Sequence, residues 1–164
     1  MCGILGFSGR DKNKKKLKES LSRLSNRGPD DQGIYENDNI FLAHTRLSII
    51  DLSMGKQPMI SNCNRYIIVF NGEIYNYKKL KSKYKYKYKT QSDTEVLLAG
   101  YINYGIKFLK DLEGMFSFCI YDKKLAKLFL ARDQFGIKPL LYSSNKYFKN
   151  KIIVALNDHT LTLN

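Results

Sequence analysis

The strongest constraint on the fold is a series of short apolar segments, each of a length typical of a β-strand and each bounded by turn residues. Stretches with helical periodicity are few, and they do not alternate regularly with these segments, so a parallel sheet of βαβ units is not expected. The pattern predicts a mainly antiparallel α+β fold. Its predicted strands are Met1–Ser8, Ile40–Ile50, Tyr66–Phe70, Met115–Tyr121, Leu125–Ala131 and Leu140–Tyr142.

Three segments have the spacing of an amphipathic helix. Lys14–Leu24 repeats apolar residues at 17, 21 and 24, and Asn76–Tyr84 presents one leucine to a core. Ser92-Asp93-Thr94-Glu95 has the form of a capping box before a third helix over Val96–Tyr104. The dipeptide Asn71-Gly72 favours positive φ and predicts a tight turn.

Length and composition indicate one soluble globular domain. The chain has 164 residues, of which 43% are apolar, and no apolar run approaches the roughly 20 residues that a membrane span needs. Cys2, Cys63 and Cys119 are widely spaced and odd in number, which argues against a disulfide framework or a zinc site. We therefore expect a cytoplasmic protein without a membrane partner.

The net charge of +13 is compatible with two interpretations. Lys83–Lys89 alternates lysine and tyrosine, so that Tyr84, Tyr86 and Tyr88 share one face of an extended chain. An aromatic and cationic face of this kind suits single-stranded nucleic acid. An edge strand with tyrosines packed inward and lysines guarding the edge has the same pattern. We favour the edge strand and do not expect a nucleic-acid partner, because most of the basic residues are lysines.

The N-terminal sequence Met1-Cys2-Gly3-Ile4 indicates a catalytic residue. Cysteine is small enough for methionine aminopeptidase to remove the residue before it, which would leave Cys2 with a thiol and a free α-amino group. The α-amino pKa of roughly 7.7–8 lets this group accept a proton near neutral pH. A nucleophile with an adjacent base supports covalent catalysis. Taken alone, Cys2 is more typical of a small buried apolar residue, and the later segments of the chain reverse this preference.

Five further residues fit the needs of such a nucleophile. The amide of Asn71 and the backbone N–H of Gly72 are able to donate to one developing oxyanion. Glu73 and Asp93 are candidates to face one ammonium group, and Arg46 is a candidate to hold a carboxylate in a bidentate fork. An ammonium group together with a carboxylate describes an α-amino acid.

Eight segments, in order along the chain, resemble the glutaminase domain of the glutamine-hydrolysing asparagine synthetases. This domain is a class II glutamine amidotransferase and an N-terminal nucleophile hydrolase. The segments are Met1–Ile4 with Gly6 and Gly9, Arg27–Asp30, Ala43–Asp51, Gly55–Met59, Asn71–Asn76, Ser92–Glu95, Leu112–Phe116, and Arg132-Asp133 with Phe135–Leu140. Two positions depart from the family pattern: Asn26 replaces a histidine and Gln134 replaces a proline.

The resemblance implies an αββα sandwich of two antiparallel sheets between helices, here without some C-terminal strands. It implies L-glutamine as substrate and hydrolysis through a γ-glutamyl thioester, with no metal or cofactor in this step. The implied catalytic residues are Cys2, Asn71 and Gly72. The implied substrate-binding residues are Arg46, Leu47, Ile49, Ile50, Glu73 and Asp93. The ammonia released would serve the synthesis of asparagine or of a related amide.

The match also predicts domain boundaries. Residues 1–145 correspond to the glutaminase domain, and 146–164 form a divergent or truncated tail with a candidate strand at Ile152–Leu156. The sequence has no glycine-rich phosphate loop, so we expect the synthetase domain that would use ATP and Mg²⁺ to be absent from it. We expect a separate synthetase chain or a second copy of this chain as partner. The alternative is a non-catalytic binding module that performs no turnover.

Overall fold

The computed structural model describes residues 2–10, 12–48, 50–51, 54–145 and 150–155, with backbone alone for 144–145 and 150–155. The strands of this part are β1 (Gly3–Ser8), β2 (Asp31–Asn37), β3 (Ile40–Arg46), β4 (Met59–Ile60), β5 (Tyr66–Ile74), β6 (Gly114–Asp122), β7 (Lys127–Arg132), β8 (Leu141–Asn145) and β9 (Asn150–Ala155). The helices are α1 (Lys14–Ser22), α2 (Tyr77–Lys83) and α3 (Asp93–Tyr104), with 3₁₀ turns at Ser25–Arg27 and Gly105–Asp111.

The strands form two antiparallel sheets. Sheet I has five strands in the order β2-β3-β1-β9-β8, and sheet II has four in the order β4-β5-β6-β7. Every strand pair is antiparallel, as predicted from the short apolar segments. The mixed α and β architecture with two antiparallel sheets confirms the predicted fold class.

The two-residue repeat of the strands divides the core into three clusters. In β1, Ile4 packs between the sheets, while Leu5 and Phe7 pack against α1 on the outer face of sheet I. In β5, Ile67 and Val69 face sheet I, and the alternate residues pack against α2 and α3. The order of layers is therefore helix, sheet, sheet, helix, because each sheet is apolar on both faces.

The predicted tight turn at Asn71-Gly72 is wrong. Strand β5 continues through both residues to Ile74, and Gly72 lies opposite Phe116 of β6. The φ angle of Gly72 is +151°, and a Cβ atom there would lie 2.1 Å from Met115 O. Glycine is therefore needed for positive φ, as expected, but within a strand that another strand approaches closely.

The predicted edge strand at Lys83–Lys89 is also wrong, although its two faces are correct. Helix α2 extends to Lys83, and the chain that follows is extended without strand pairing. Tyr84 is buried, and Tyr86 and Tyr88 pack partly buried against the core of sheet II. Side chains of Asn62 and Glu95 take the place of ladder hydrogen bonds by binding backbone groups of this segment.

The capping prediction at α3 is confirmed in one half. Ser92 Oγ accepts a hydrogen bond from Thr94 N at 3.1 Å, as an N-cap does. Glu95 does not return to Ser92 N; its carboxylate accepts from Thr90 N at 2.7 Å and from Lys89 N at 3.0 Å. Glu95 therefore holds the preceding segment to the helix.

Pairing between distant parts of the chain changes other strand boundaries. The predicted strand Ile40–Ile50 ends at Arg46, and β2 and β4 were not predicted. The candidate strand at Ile152–Leu156 is present as β9, which lies within the predicted tail and pairs with β1 on one side and β8 on the other. Leu156 itself lies outside the described residues.

Candidate active site

One pocket contains the predicted site residues. It lies where the start of β1, the end of β3, the second half of β5 and the start of α3 meet. The predicted residues that line it are Cys2, Arg46, Leu47, Ile50, Asn71, Gly72, Glu73 and Asp93. Ile49, the remaining predicted residue, lies outside the described residues. The fold thus brings residues from positions 2 to 93 into one cavity.

Cys2 is held at the entrance to β1 by backbone contacts. Its Sγ atom lies 3.4 Å from Leu47 N and 3.6 Å from Leu47 O. Arg27 Nε donates to Cys2 O at 3.1 Å. Burial raises the pKa of the thiol, and the Leu47 hydrogen bond and the charge of Arg46 offset part of this rise. The thiol is therefore protonated at neutral pH and needs a base before it attacks.

Asn71 supplies a buried donor that has no partner among the described residues. Its side chain is 2% exposed, and its Nδ2 atom has no hydrogen-bond partner in the part of the chain that the structure describes. A buried amide N–H without a partner costs free energy, so such a group in a pocket indicates a ligand that would accept from it. Gly72 follows Asn71 in β5, so the regular backbone of this strand fixes the direction of the Gly72 N–H as well as the position of Asn71.

Arg46 is oriented by the loop that follows β3. Its Nη2 atom donates to Asp51 O at 2.6 Å and to Ile50 O at 3.3 Å. Asp51 has φ of +49°, and its carboxylate accepts from Gln91 N at 2.7 Å, which joins the loop to the start of α3. The guanidinium is therefore held in one orientation at the pocket wall, as a group that binds a carboxylate needs to be.

Asp93 and Glu73 supply the negative charge of the pocket. Asp93 lies in the first turn of α3, is 4% exposed and accepts from Ile74 N at 3.1 Å. Burial raises the pKa of Asp93 from 3.8 to about 6, hydrogen bonds from Ile74 N and Thr94 N oppose this rise, and the charge of Glu73 adds to it. Two carboxylates in a buried site favour a cationic group between them.

Sequence reasoning assigned no role to two other polar residues of the pocket. Lys138 is 5% exposed, and burial together with the charge of Arg27 lowers the pKa of its ammonium group. Its loop is organised by Asp133, whose carboxylate accepts from the backbone N–H groups of Phe116, Phe135, Ile137 and Lys138. Gln57 is the second residue and connects β5 to α3.

Both of these residues belong to segments that carried the family resemblance, which was the only signal available for them. A lone lysine or glutamine in a loop has no periodicity or spacing that indicates a pocket position.

The described residues contain no cluster of three or more His, Cys, Asp or Glu side chains placed to bind a metal ion. None of their helices has the length and apolar character needed to cross a membrane.

Comparison with known proteins identifies the family. A family model described as a glutamine amidotransferase domain matches residues 1–162. Asparagine synthetase [glutamine-hydrolyzing] 2 of Bacillus subtilis is 42% identical over 154 residues, which cover 90% of this chain and 21% of the relative. Asparagine synthetase B [glutamine-hydrolyzing] of Escherichia coli is 43% identical over 146 residues, covering 85% of this chain and 26% of the relative.

Asparagine synthetase [glutamine-hydrolyzing] 1 of Arabidopsis thaliana is 39% identical over 145 residues, covering 85% of this chain and 25% of the relative. The chain thus spans between a fifth and about a quarter of the length of these three relatives. It corresponds to their glutamine amidotransferase part, and the chain belongs to the glutamine amidotransferase domain family.

Proposed function

We propose that this chain hydrolyses L-glutamine to glutamate and ammonia, with Cys2 as an N-terminal nucleophile after removal of Met1. The observation that carries the proposal is the buried Nδ2 of Asn71, which has no hydrogen-bond partner among the described residues and lines the same pocket as Cys2. An oxyanion formed by attack of the thiol is the kind of acceptor that this donor lacks.

The charges of the pocket support an amino-acid substrate. Arg46 would bind the α-carboxylate, and Glu73 and Asp93 would bind the α-ammonium group. The wall that follows β3, with Leu47 and Ile50, would contact the substrate through backbone groups, and the family resemblance assigns Ile49 the same role. The carboxamide of a glutamine bound in this way would remain for Cys2, which lines the same pocket.

The reaction would proceed in two steps. The α-amino group of Cys2 accepts the thiol proton as Sγ bonds to the carboxamide carbon, and the carbonyl electron pair moves to the oxygen, which Asn71 Nδ2 and Gly72 N–H stabilise. Collapse breaks the C–N bond, the proton passes to the leaving nitrogen, and ammonia leaves a γ-glutamyl thioester. Water then attacks the thioester, the C–S bond breaks, and glutamate and the thiol are released.

The relatives' names suggest what receives the ammonia. They are glutamine-hydrolysing asparagine synthetases, so we propose that this domain supplies ammonia for asparagine or a related amide. A synthetase chain that binds ATP and Mg²⁺ would be its partner.

An intact-mass measurement tests the proposal. The purified chain is weighed before and after incubation with 6-diazo-5-oxo-L-norleucine, a glutamine analogue that alkylates glutaminase nucleophiles, and glutamate release is measured in parallel. We expect a mass lacking Met1, one adduct that maps to Cys2, and glutaminase activity. Cys2→Ser should lose both the adduct and the activity, while Cys63→Ser, which removes an exposed thiol, should retain both.

Other results would contradict the proposal. Retained Met1 would leave Cys2 without the base that the mechanism requires. Complete processing with no adduct and no glutamate release would instead favour a binding module without turnover.

A further inference from the structure

Alternate residues of β5 turn their backbone groups away from β6. Ile68 pairs with Met59 of β4 on this outer side, and Tyr66 O accepts from Ser61 N there. Farther along the strand, Phe70 N donates to Gln57 and Ile74 N donates to Asp93 on the same side. Gly72 lies between these two, so the two-residue repeat directs its N–H to the outer side, into the pocket.

Strand β4 ends before it reaches this part of the edge. Its register, Met59 with Ile68, would place Gln57 opposite Phe70 if pairing continued. The main chain of Gln57 instead lies against β2, where a Cβ on Gly33 would be 1.9 Å from Gln57 O. The backbone of β4 is therefore not available to cover the edge of β5 beside the pocket.

The side chain of Gln57 covers that edge instead. Its Oε1 atom accepts from Phe70 N at 2.7 Å, as a neighbouring strand's carbonyl would, and its Nε2 atom donates to Thr94 Oγ1 at 3.3 Å. These contacts reach the residues directly before Asn71 and directly after Asp93. One amide group thus connects the strand that carries the oxyanion donors to the helix that carries the ammonium-binding carboxylate.

A second side chain holds the other polar group of Phe70. His44 Nε2 lies 3.1 Å from Phe70 O. Because burial lowers the pKa of His44 to about 4, the ring is neutral, and Nε2 must carry the proton since Phe70 O only accepts. Both backbone groups of Phe70 are therefore fixed by side chains from other elements, and the next two residues are Asn71 and Gly72.

We propose that Gln57 is a positioning residue for the oxyanion donors. The Gln57 side chain binds Phe70 N in the place of a neighbouring strand, and it does not extend as far as Gly72. The Gly72 N–H and the Asn71 amide therefore remain directed at the reacting carbonyl. The inference rests on the proposed glutaminase function. It assigns Gln57 no contact with the substrate.

The kinetic consequence follows from when these donors act. An oxyanion is present in the tetrahedral transition state and not in bound glutamine, so a displaced donor slows turnover more than it weakens substrate binding. Complete removal of one oxyanion donor typically costs about 100- to 1000-fold in kcat. Loosening both donors without removing either should therefore cost about 10- to 100-fold.

Gln57→Met tests this, because methionine has a similar length and removes both hydrogen bonds. We expect kcat to fall about 10- to 100-fold, with KM for glutamine within about threefold of the unmodified value. The aldehyde analogue of glutamine should bind more weakly by the same factor as kcat, because its adduct with Cys2 carries the same oxygen. Hydrogen exchange of the Phe70 amide should become faster. Gln32→Met, the same change at an exposed glutamine of β2, should alter none of these quantities.

Thr94→Val provides a second variant if Gln57→Met does not fold. It removes the acceptor of Gln57 Nε2 without a change in size, and a smaller fall in kcat with a matching loss of aldehyde affinity is expected. Unchanged kcat and unchanged aldehyde affinity in Gln57→Met would overturn the inference while the glutaminase function stands. A rise in KM alone would also overturn it and make Gln57 a binding residue. An unmodified chain without glutaminase activity would refute the proposed function itself.

Discussion

Replacing Asp93 with asparagine is expected to stabilise the folded protein at neutral pH and to weaken glutamine binding. Burial raises the pKa of Asp93 from 3.8 to about 6, so the charged form is disfavoured in the fold by about two pKa units. At about 1.4 kcal/mol per unit, this corresponds to a cost of about 3 kcal/mol above pH 6. Asparagine carries no charge and avoids that cost.

Part of this gain is offset by hydrogen bonding. Asp93 accepts from Ile74 N at 3.1 Å and is also stabilised by the N–H of Thr94. An asparagine keeps one acceptor oxygen, so one of these bonds is lost at a cost of about 1 kcal/mol. The net stabilisation should be about 1–2 kcal/mol at pH 7, a rise of about 3–6 °C in Tm for a domain of this size.

The pH dependence of stability shows whether the buried charge of Asp93 causes the expected gain. Because the pKa is higher in the folded state than in the unfolded state, the folded state binds more protons between pH 6 and 4, and the unmodified protein gains stability as the pH falls through this range. The stability difference between Asp93→Asn and the unmodified protein should therefore be largest above pH 6 and nearly vanish at pH 4. Buried His44 titrates with the opposite sign, but it is present in both proteins and cancels in the comparison.

Urea unfolding at several pH values between 4 and 7.5 measures this difference, and glutaminase kinetics measure the effect on binding. We expect KM for glutamine to rise about 10- to 100-fold, since a hydrogen bond to a charged group contributes about 1.5–3 kcal/mol. Asp38→Asn, at an exposed acidic residue, is the control and should change neither quantity. A destabilised Asp93→Asn at pH 7, or a difference that does not vary with pH, would refute the assignment of this cost to burial.

Three further predictions concern other contacts. Gly33→Ala should lower the free energy of unfolding in urea by about 2–4 kcal/mol, because its Cβ would lie 1.9 Å from the backbone oxygen of Gln57. Arg65→Met should lower the free energy of unfolding in urea at pH 7, and this loss should shrink as the pH falls, because Arg65 lowers the pKa of Asp122 and that contribution is lost as the carboxylate is protonated. Glu95→Gln should speed hydrogen exchange at the amides of residues 89 and 90, to which its carboxylate is bonded; unchanged exchange would contradict this account.

Local patterns predicted much of the fold correctly. Short apolar segments bounded by turn residues identified most strands, helical spacing and a capping motif identified all three helices, and Ser92 was recognised as a helix cap. The alternation of lysine and tyrosine placed Tyr84 inside although no strand forms there. Such features depend on side chains within a few residues of one another, so the sequence carries them directly.

Residue identity also pointed to the pocket. Eight of the nine predicted site residues line one cavity, and the ninth, Ile49, lies outside the described residues. The unusual N-terminal cysteine and the matching segments were sufficient to name these positions. They were not sufficient to show how the chain holds them in place.

Contacts between distant segments decided the rest. Asn71-Gly72 forms part of a strand and not a turn because β6 pairs along both residues, and Gln57 acquires its position because β4 begins only at Met59, after the residue that would lie opposite Phe70. Strand β9 inserts between β1 and β8, more than a hundred residues after β1. Hydrogen bonds of this kind depend on which backbone groups the completed fold leaves uncovered. Which groups remain uncovered is decided only when the two sheets and helix α3 have packed together.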